Sequence, residues 1–524
     1  MIDKTVILEY LDQPRDDYTW VKKMNRAKLL GEIDLLESPI SFKTKPWDLQ
    51  LASVIVGAYK KRFMFLLDMG LGKTKIVLDL MSYRKNSGKL VRALVVVPRL
   101  VNVGSWLDDC GVHTDLKVEA ITGTTAEKWD RLMNGDHDIA LIDYANAGLL
   151  LHSIVERVVK GKTKKVKERD LKRTRALAAR YNMLVFDEIH RCKNSDTLRY
   201  RALLGLSKQC EFVYGLTGTP FGREPMVVFD EFKLVDLGDT FGTSKEIFRQ
   251  AFFVEQWLPW GTEWVFNKRR TKEFRKFLRH GSIRYREEEG PDLPPRVNQK
   301  MTFPMVSDQL KHYREVVSGW VSSSGSLVEV DSIFVRLRQI ASGYLEWDDP
   351  DTHKRTVFTF SSNPKLDLLE ELLESSAGGK MVIFHVYTTS GRLICDRLTK
   401  LKIKHVWLYG GSKDPLAIQD AFKKDDSVRV LVANVESGGS GLNLQVARYM
   451  AFYESPVSPI DRAQAEKRCA RAGQTETVHI YDLIAERSIE HRVLGFIKEG
   501  KNIHESLVNG RDRAEILKGL LHDL

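Results

Sequence analysis

The feature that most limits the fold is an alternation of short apolar segments with amphipathic ones, which occurs twice along the chain. The apolar segments of the first half are RFMFLLD, VRALVVVP, IALIDY, MLVFDE and EFVYGLTG, and those of the second half are KMVIFHV, VRVLVAN and YMAFYE. Apolar strands that are separated by helices are typical of a parallel sheet covered on both faces. The sequence therefore predicts an α/β protein with two parallel-sheet lobes in tandem.

Changes in composition set the predicted boundaries, and the proline-rich segment GPDLPPRV marks the division between the lobes. We predict an N-terminal extension, a first lobe, a second lobe and a C-terminal tail at 1–45, 46–290, 291–498 and 499–524. Each lobe is expected to carry a helical protrusion, at 221–282 and 305–345. A basic insertion at 157–180 interrupts the first lobe.

The net charge of the chain indicates what kind of partner it contacts. Lys and Arg number 81 against 70 Asp and Glu, and the resulting net charge of +11 favours contact with a polyanion. The basic insertion has two interpretations, a solvated loop or helix, or a contact to DNA or a localisation signal. The aromatic residues of the first protrusion also have two, stacking on bases or filling the protrusion's core; they are Phe248, Phe252, Phe253, Trp257, Trp260, Trp264 and Phe266.

Other features restrict the class of protein. The five cysteines are scattered and never spaced as CxxC, which favours a reducing compartment without a disulfide framework or zinc ribbon. No stretch approaches the roughly 18 apolar residues that span a bilayer. We therefore expect a cytoplasmic protein, or a nuclear one if the source is eukaryotic, with no membrane contact.

A glycine-rich segment, MGLGKT, follows the first apolar strand and precedes a helical segment. Gly70 and Gly72 allow a tight turn with inward N–H groups, and the helix N-terminus adds a partial positive charge that favours phosphate. We expect Lys73 to reach the β- and γ-phosphates and Thr74 to hold Mg²⁺. Leu67 stands where the full phosphate-loop pattern has its first glycine. The predicted nucleotide contacts of this loop are Met69, Gly70, Leu71, Gly72, Lys73 and Thr74.

Two acids end the apolar run MLVFDEIH. Acids at the carboxyl edge of a parallel sheet face the nucleotide crevice. We expect Asp187 to bind Mg²⁺ through water and Glu188 to act as the base for the attacking water. The alternative, an acidic cap on the helix that follows a buried strand, is disfavoured because a phosphate loop precedes these acids in the same lobe.

Together these motifs resemble those of the superfamily-two helicases over residues 46–498. PWDLQ is similar to the adenine-reading element, MGLGKT to motif one, VVVPRLVNVGSW to motif one-a, DEIH to motif two and LTGTP to motif three. In the second lobe, ESGGSGLNLQVARYMAFYESPVSPID resembles motif five and QAEKRCARAGQ motif six. LTGTP, GGSGLNL and the ending RxxRxGQ resemble the Swi/Snf-like group, in a minimal form of bacterial or phage type. The chain departs from the family at His190 and at PVSP after motif five.

The resemblance implies RecA-like lobes and further nucleotide contacts from Gln50, Gly441 and Gln464. Arg468 and Arg471 are three apart, so on a helix they share one face. The resemblance implies that Arg471 is the arginine finger and Arg468 its partner; the alternative is a basic face with surface salt bridges. Coupling between nucleotide and nucleic acid is expected at Thr217, Thr219, Asn443 and Leu444, although a simple turn would also explain Thr-Gly-Thr-Pro.

The expected function is a DNA-stimulated ATPase that uses ATP and Mg²⁺ to move along or remodel duplex or branched DNA, with RNA a less favoured partner. Two alternatives share the same residues. One is a helicase that separates strands of DNA or RNA, and the other is a scaffold whose nucleic-acid binding is gated by ATP. A monomer is expected when the chain is free, and the sequence identifies no protein partner.

Overall fold

In the computed structural model of the chain, the described residues are 3–98, 100–159, 162–192, 194–218, 225–258, 261–291, 295–322, 327–348, 355–376, 378–435, 444–470, 474 and 476–500. The chain divides into two compact units, 1–292 and 293–524, within the segment GPDLPPRV. Among the described residues, no helix has the length and apolar content that a membrane span requires.

Helices and strands alternate through both units. The α-helices are α1 Lys4–Asp12, α2 Arg26–Asp34, α3 Asp48–Tyr59, α4 Lys73–Asn86, α5 Leu100–His113, α6 Thr125–Asn134, α7 Tyr144–Leu150, α8 Leu171–Arg180, α9 Leu198–Ser207, α10 Val228–Asp236, α11 Lys245–Phe252, α12 Thr271–Gly281, α13 Ser307–Ser322, α14 Leu327–Ala341, α15 Pro364–Ser375, α16 Thr388–Lys400, α17 Pro415–Lys424, α18 Pro459–Glu466 and α19 Ile489–Lys498.

The strands are β1 Arg62–Leu67, β2 Ala93–Val97, β3 Val118–Ala120, β4 Ile139–Asp143, β5 His152–Val159, β6 Lys162–Arg169, β7 Met183–Asp187, β8 Phe212–Thr217, β9 Phe253–Leu258, β10 Gly261–Phe266, β11 Ser282–Tyr285, β12 Arg296–Phe303, β13 Tyr344–Asp348, β14 Arg355–Thr359, β15 Met381–His385, β16 His405–Leu408, β17 Val430–Asn434, β18 Tyr449–Phe452 and β19 Val478–Ala485.

The first unit is built on a seven-stranded parallel sheet in the order β11-β1-β8-β7-β2-β4-β3. Alternate residues of β1 belong to two different apolar cores: Met64 and Leu66 to one, Phe63 and Phe65 to the other. Both faces of the sheet are therefore covered, which explains why these strands are apolar throughout rather than alternating. The order makes β1, β8 and β7 neighbours, so their carboxyl ends lie side by side.

The second unit contains a six-stranded parallel sheet in the order β12-β19-β18-β15-β17-β16. The central strands β15, β17 and β18 are almost entirely buried. Two parallel-sheet α/β units in tandem confirm the predicted fold class.

The N-terminal segment packs on the first unit rather than lying apart from it. Tyr10 of α1 lies 5.0 Å from Phe277, ring centroid to centroid, and its hydroxyl donates to the Phe241 carbonyl at 3.0 Å. Phe248 and Phe252 belong to the same apolar core. Residues of the predicted N-terminal extension thus complete the aromatic core of the first protrusion.

The other aromatic residues of this protrusion divide between core and surface. Phe253 is buried, and Trp264 and Phe266 pack partly buried against the same core. Trp257 is 81% exposed. Trp260 lies outside the described residues. Filling of the core is therefore the role of most of this set, and Trp257 is an exception.

Two antiparallel hairpins differ from the sequence interpretation. The first protrusion, predicted to be helical, contains the pair β9–β10, and the basic insertion, interpreted as a loop or helix, contains the pair β5–β6 before α8. The segment HSIVERVV is rich in β-branched residues, which favour extended backbone. On the described part of the β5–β6 hairpin the side chains of Ile154, Lys165 and Lys167 are exposed, so one face of the ribbon is solvated.

Candidate nucleotide site

The loop between β1 and α4 has the geometry of a phosphate loop. Gly70 and Gly72 have φ of 87° and 73°, a region that side chains rarely adopt. A Cβ atom on Gly72 would lie 2.3 Å from Nε2 of Gln50, so any other residue there would also displace the buried Gln50 side chain. Gly72 caps α4, whose first turn holds Lys73 and Thr74. The loop and the helix N-terminus therefore present backbone N–H groups in the way that phosphate binding requires.

Lys73 lies between the loop and motif two. Its ammonium donates to the Leu67 carbonyl at 3.1 Å and lies 4.0 Å from Oε1 of Glu188. The Lys73 side chain is only 10% exposed, so its charge interacts strongly with neighbouring groups. The predicted phosphate-binding cation and the predicted base thus share one site.

Asp187 ends β7 and is held by two residues from neighbouring elements. Its Oδ2 accepts a hydrogen bond from Nε1 of Trp106 at 2.9 Å, and its backbone carbonyl accepts one from the Tyr144 hydroxyl at 3.1 Å. Burial raises the pKa of Tyr144 well above its usual value, and Cys192, Asp187 and Glu188 add to the effect. Tyr144 therefore remains a protonated donor to the Asp187 backbone, and the Trp106 contact orients the Asp187 carboxylate.

Glu188 follows with φ of 45°, in the left-handed region that non-glycine residues rarely adopt. Such a conformation costs on the order of 1–3 kcal/mol and persists where the surroundings impose it. The Thr217 hydroxyl donates to Oε2 of Glu188 at 3.4 Å, and Nδ1 of His190 lies 3.1 Å from that hydroxyl. Motifs two and three therefore meet at the carboxyl ends of the paired strands β7 and β8. Thr219 lies outside the described residues.

Gln50 lies beside the phosphate loop. It is 2% exposed, its Oε1 accepts from the Trp47 N–H at 2.9 Å, and its Nε2 donates to the Leu71 carbonyl at 3.4 Å. Trp47 also lines a cavity of about 600 Å³ together with Gly290. A Cβ atom on Gly290 would lie 2.4 Å from Cδ2 of Leu71, so the wall of this cavity contacts the loop.

Few side chains of the candidate site could bind a magnesium ion. No group of three or more His, Cys, Asp and Glu side chains that could hold a metal comes together in the part of the chain that the structure describes. Mg²⁺ at nucleotide sites is bound by one or two protein oxygens together with phosphates and water. The hydroxyl of Thr74 and the carboxylate of Asp187 match that requirement in number and type. Met69, the remaining loop residue predicted to contact nucleotide, is half-buried.

In the second unit, three of the predicted residues are described. Gln464 is 5% exposed on α18, and the Leu444 N–H donates to the Arg468 carbonyl at 3.1 Å, which joins motif five to motif six. The expected helix through motif six ends earlier, at Glu466, so Arg468 lies in the following turn. Gly441, Asn443 and Arg471 lie outside the described residues. The prediction that Arg468 lies on a helix face shared with Arg471 is therefore wrong, because Arg468 lies beyond the end of α18.

Several residues at the site were not singled out from the sequence. Trp106 and Tyr144 hold Asp187, and Arg284 donates to Oδ1 of Asp68 at 2.7 Å and to the Gly218 carbonyl at 3.0 Å. The only signal for Trp106 in the sequence was its position at the end of the segment that resembles motif one-a. Arg284 thus links the start of the phosphate loop to motif three.

Comparison with known families agrees with this geometry. The profile of the SNF2-related domain matches residues 53–346, and that of the helicase conserved C-terminal domain matches residues 364–473. The chain belongs to the SNF2-related family. The resemblance to the Swi/Snf-like group is thereby confirmed; in this SNF2-related chain the first profile covers most of the first unit and the start of the second, and the second profile lies within the second unit.

Individual relatives are distant. The chain is 24% identical to the ATP-dependent helicase fft1 of Schizosaccharomyces pombe, over 89% of its own length and 54% of the relative's. It is 23% identical to the putative ATP-dependent helicase/translocase YwqA of Bacillus subtilis, over 85% and 46%. This SNF2-related chain therefore spans about half the length of these curated relatives. The solved SWI2/SNF2 ATPase core of Sulfolobus solfataricus in complex with dsDNA aligns at 20% identity and a TM-score of 0.39, over 93% of this chain and 98% of that one.

Proposed function

We propose that this chain is a DNA-stimulated ATPase that couples hydrolysis to translocation on, or remodelling of, duplex or branched DNA. The observation that carries the proposal is the convergence of Lys73, Glu188 and Thr217 at the neighbouring carboxyl ends of β1, β7 and β8. Similarity to relatives named as an ATP-dependent helicase, a chromatin-remodeling complex ATPase and a DNA annealing helicase supports the substrate class.

Each residue has a chemical task in this proposal. The N–H groups of the loop and Lys73 bind the β- and γ-phosphates, Gln50 reads the adenine beside the cavity, and Glu188 accepts the proton of the attacking water. Thr217 belongs to motif three and donates to Glu188, so the proposed base is in direct contact with that motif. Mg²⁺, when bound through Thr74 and Asp187, neutralises phosphate charge. In the second unit we propose Arg468 and Arg471 as stabilisers of the γ-phosphate, and Gln464 and Gly441 as further contacts.

Steady-state phosphate release tests the function. It is measured without polymer and with blunt duplex DNA, branched DNA, single-stranded DNA or RNA, for the parent and for Lys73→Ala. We expect duplex or branched DNA to raise the rate severalfold and Lys73→Ala to lower it by at least about 10²-fold, because the side chain stabilises transferring phosphate charge. Stimulation by RNA alone would contradict the proposed substrate. A Lys73→Ala rate equal to the parent's would contradict the assignment of the site.

A second prediction concerns Trp106. Trp106→Phe removes the donor that orients the Asp187 carboxylate, and loss of an orienting partner of a metal ligand weakens metal binding about 10-fold or more. We therefore expect the Mg²⁺ concentration for half-maximal ATPase rate to rise about 10-fold. Trp129→Phe, at a partly buried tryptophan on α6, is the matched control and should leave that concentration unchanged. Equal Mg²⁺ dependence of the two variants would exclude this role for Trp106.

A further inference from the structure

A second cavity of the first unit, of about 750 Å³, lies apart from the nucleotide contacts. Its walls come from the 3₁₀ helix Tyr18–Lys23, from α12 and from β11. Cationic side chains dominate the wall, with Glu289 the one acidic lining residue described; the cations are Lys22, Lys23, Arg275, Arg279, Arg284 and Arg286. We call this feature the basic cavity.

Part of this positive charge is balanced by carboxylates. Lys22 pairs with Glu289 at 2.6 Å and Arg279 with Asp17 at 3.4 Å. Among the described residues, Lys23 and Arg275 have no acidic side chain within 4.0 Å. The basic cavity therefore carries a positive charge that the surrounding protein leaves available to an anion.

The floor of the basic cavity is apolar. Leu66 is 2% exposed, and Phe266, Phe274 and Leu278 complete the apolar lining. Low-dielectric walls concentrate the field of nearby cations and strengthen their attraction for an anion relative to a flat, solvated surface. This combination favours a phosphate group over a neutral ligand.

One wall residue connects the basic cavity with the nucleotide site. Arg284 lines the cavity, and its guanidinium donates to Oδ1 of Asp68 and to the Gly218 carbonyl. Asp68 also accepts from the Glu287 N–H at 3.1 Å and directly precedes the phosphate loop. An anion that attracts Arg284 would compete with Asp68, and would thereby alter the position of the loop.

We propose that the basic cavity is a second anion site that takes a phosphate group and transmits its occupancy to the phosphate loop through Arg284. The phosphate belongs either to a nucleic-acid backbone or to a free polyphosphate, since the chemistry of recognition is shared. Binding requires no catalytic activity, whereas the coupling through Arg284 rests on the proposed function.

The test of binding uses the double variant Lys23→Gln/Arg275→Gln in the full chain without nucleotide. The matched control, Lys268→Gln/Lys272→Gln, removes the same charge from exposed positions on and just before the same helix, outside the cavity. Affinity for a labelled duplex is measured by anisotropy from 50 to 200 mM salt, and affinity for tripolyphosphate by calorimetry. Each phosphate contact contributes about 0.9 to the slope of log affinity against log salt.

If the phosphate is a backbone phosphate, we expect the cavity variant to lower the slope for duplex by about two and the control to lower it far less. If it is a free polyphosphate, the cavity variant lowers tripolyphosphate affinity about 10-fold and the control does not. Either result supports the site and identifies the source. Equal behaviour of the two variants in both measurements would overturn the proposal, whatever the ATPase measurement gives.

Coupling is tested by Arg284→Lys, which keeps the charge but loses the planar fork that contacts Asp68 and Gly218 together. We expect an unchanged salt slope for duplex and a loss of at least about fivefold in the ratio of stimulated to unstimulated ATPase rate. Full stimulation in this variant would overturn the role of Arg284. Absence of stimulation in the parent would instead contradict the proposed function and leave the binding result standing.

Discussion

Replacement of Glu188 by Gln is expected to lower the ATPase rate by about 10²- to 10⁴-fold, the usual contribution of a general base. The amide has nearly the same size as the carboxylate and can still accept from the Thr217 hydroxyl, so the fold of the loop should persist. What is lost is the capacity to take a proton from water. The measurement is phosphate release at saturating ATP and Mg²⁺.

The same variant should keep or increase nucleotide affinity. Oε1 of Glu188 lies 4.0 Å from the ammonium of Lys73, so loss of its negative charge leaves that ammonium more attractive to phosphate. Affinity is measured separately with a fluorescent nucleotide. Glu211→Gln, at an exposed acid paired with Lys61 in the same unit, is the control and should change neither quantity. An E188Q rate near the parent's would exclude Glu188 as the base.

The local parts of the site were predictable because local rules impose them. A glycine pair that must adopt positive φ, a lysine and a threonine at the start of a helix, and acids after an apolar strand are all visible within a few residues. The parallel sheets were predictable for a similar reason, since strands buried on both faces are apolar without alternation. In the structure Lys73 begins α4 and Glu188 directly follows β7.

Contacts between distant segments were not predictable, because they depend on strand order and register. Trp106 and Asp187 are 81 positions apart, and Arg284 and Asp68 are 216 apart. The first contact needs β2 beside β7, and the second needs β11 beside β1. Nothing in a single sequence specifies that order. These contacts orient the Asp187 carboxylate and hold Asp68 beside the glycine-rich loop, so the missing information concerns the proposed site as well as packing.

The two hairpins were missed for another reason. A two-stranded ribbon that exposes one face needs few apolar residues, and in β6 lysines stand where core strands have valine. The run of positive charge therefore favoured the interpretation of 157–180 as a solvated loop or helix. In motif six, the helix was extended too far because spacing alone does not show that α18 ends at Glu466, with the Arg468 carbonyl bound to Leu444.

A buried ion pair supports the second unit and gives the other large expected effect. Nζ of Lys365 donates to Oε1 of Glu490 at 2.5 Å, with side chains 0% and 8% exposed, and Oε2 of Glu490 accepts from the Ala485 N–H at 2.9 Å. The pair joins the start of α15 to the start of α19 and the end of β19. Because removal of one partner leaves an uncompensated buried charge, Lys365→Met and Glu490→Gln should each cost about 3–5 kcal/mol of unfolding free energy.

Replacing both partners should cost less than replacing either one, because the double variant Lys365→Met/Glu490→Gln leaves no buried charge unpaired. Hydrogen–deuterium exchange of β19 in the full chain, followed through increasing urea, measures the free energy of opening within the second unit. Lys424→Met, which breaks an exposed pair with Asp420, is the matched control and should cost below about 1 kcal/mol. Single-variant costs that simply add in the double variant would show that the two side chains stabilise the unit independently, and that the ion pair does not link α15 to α19.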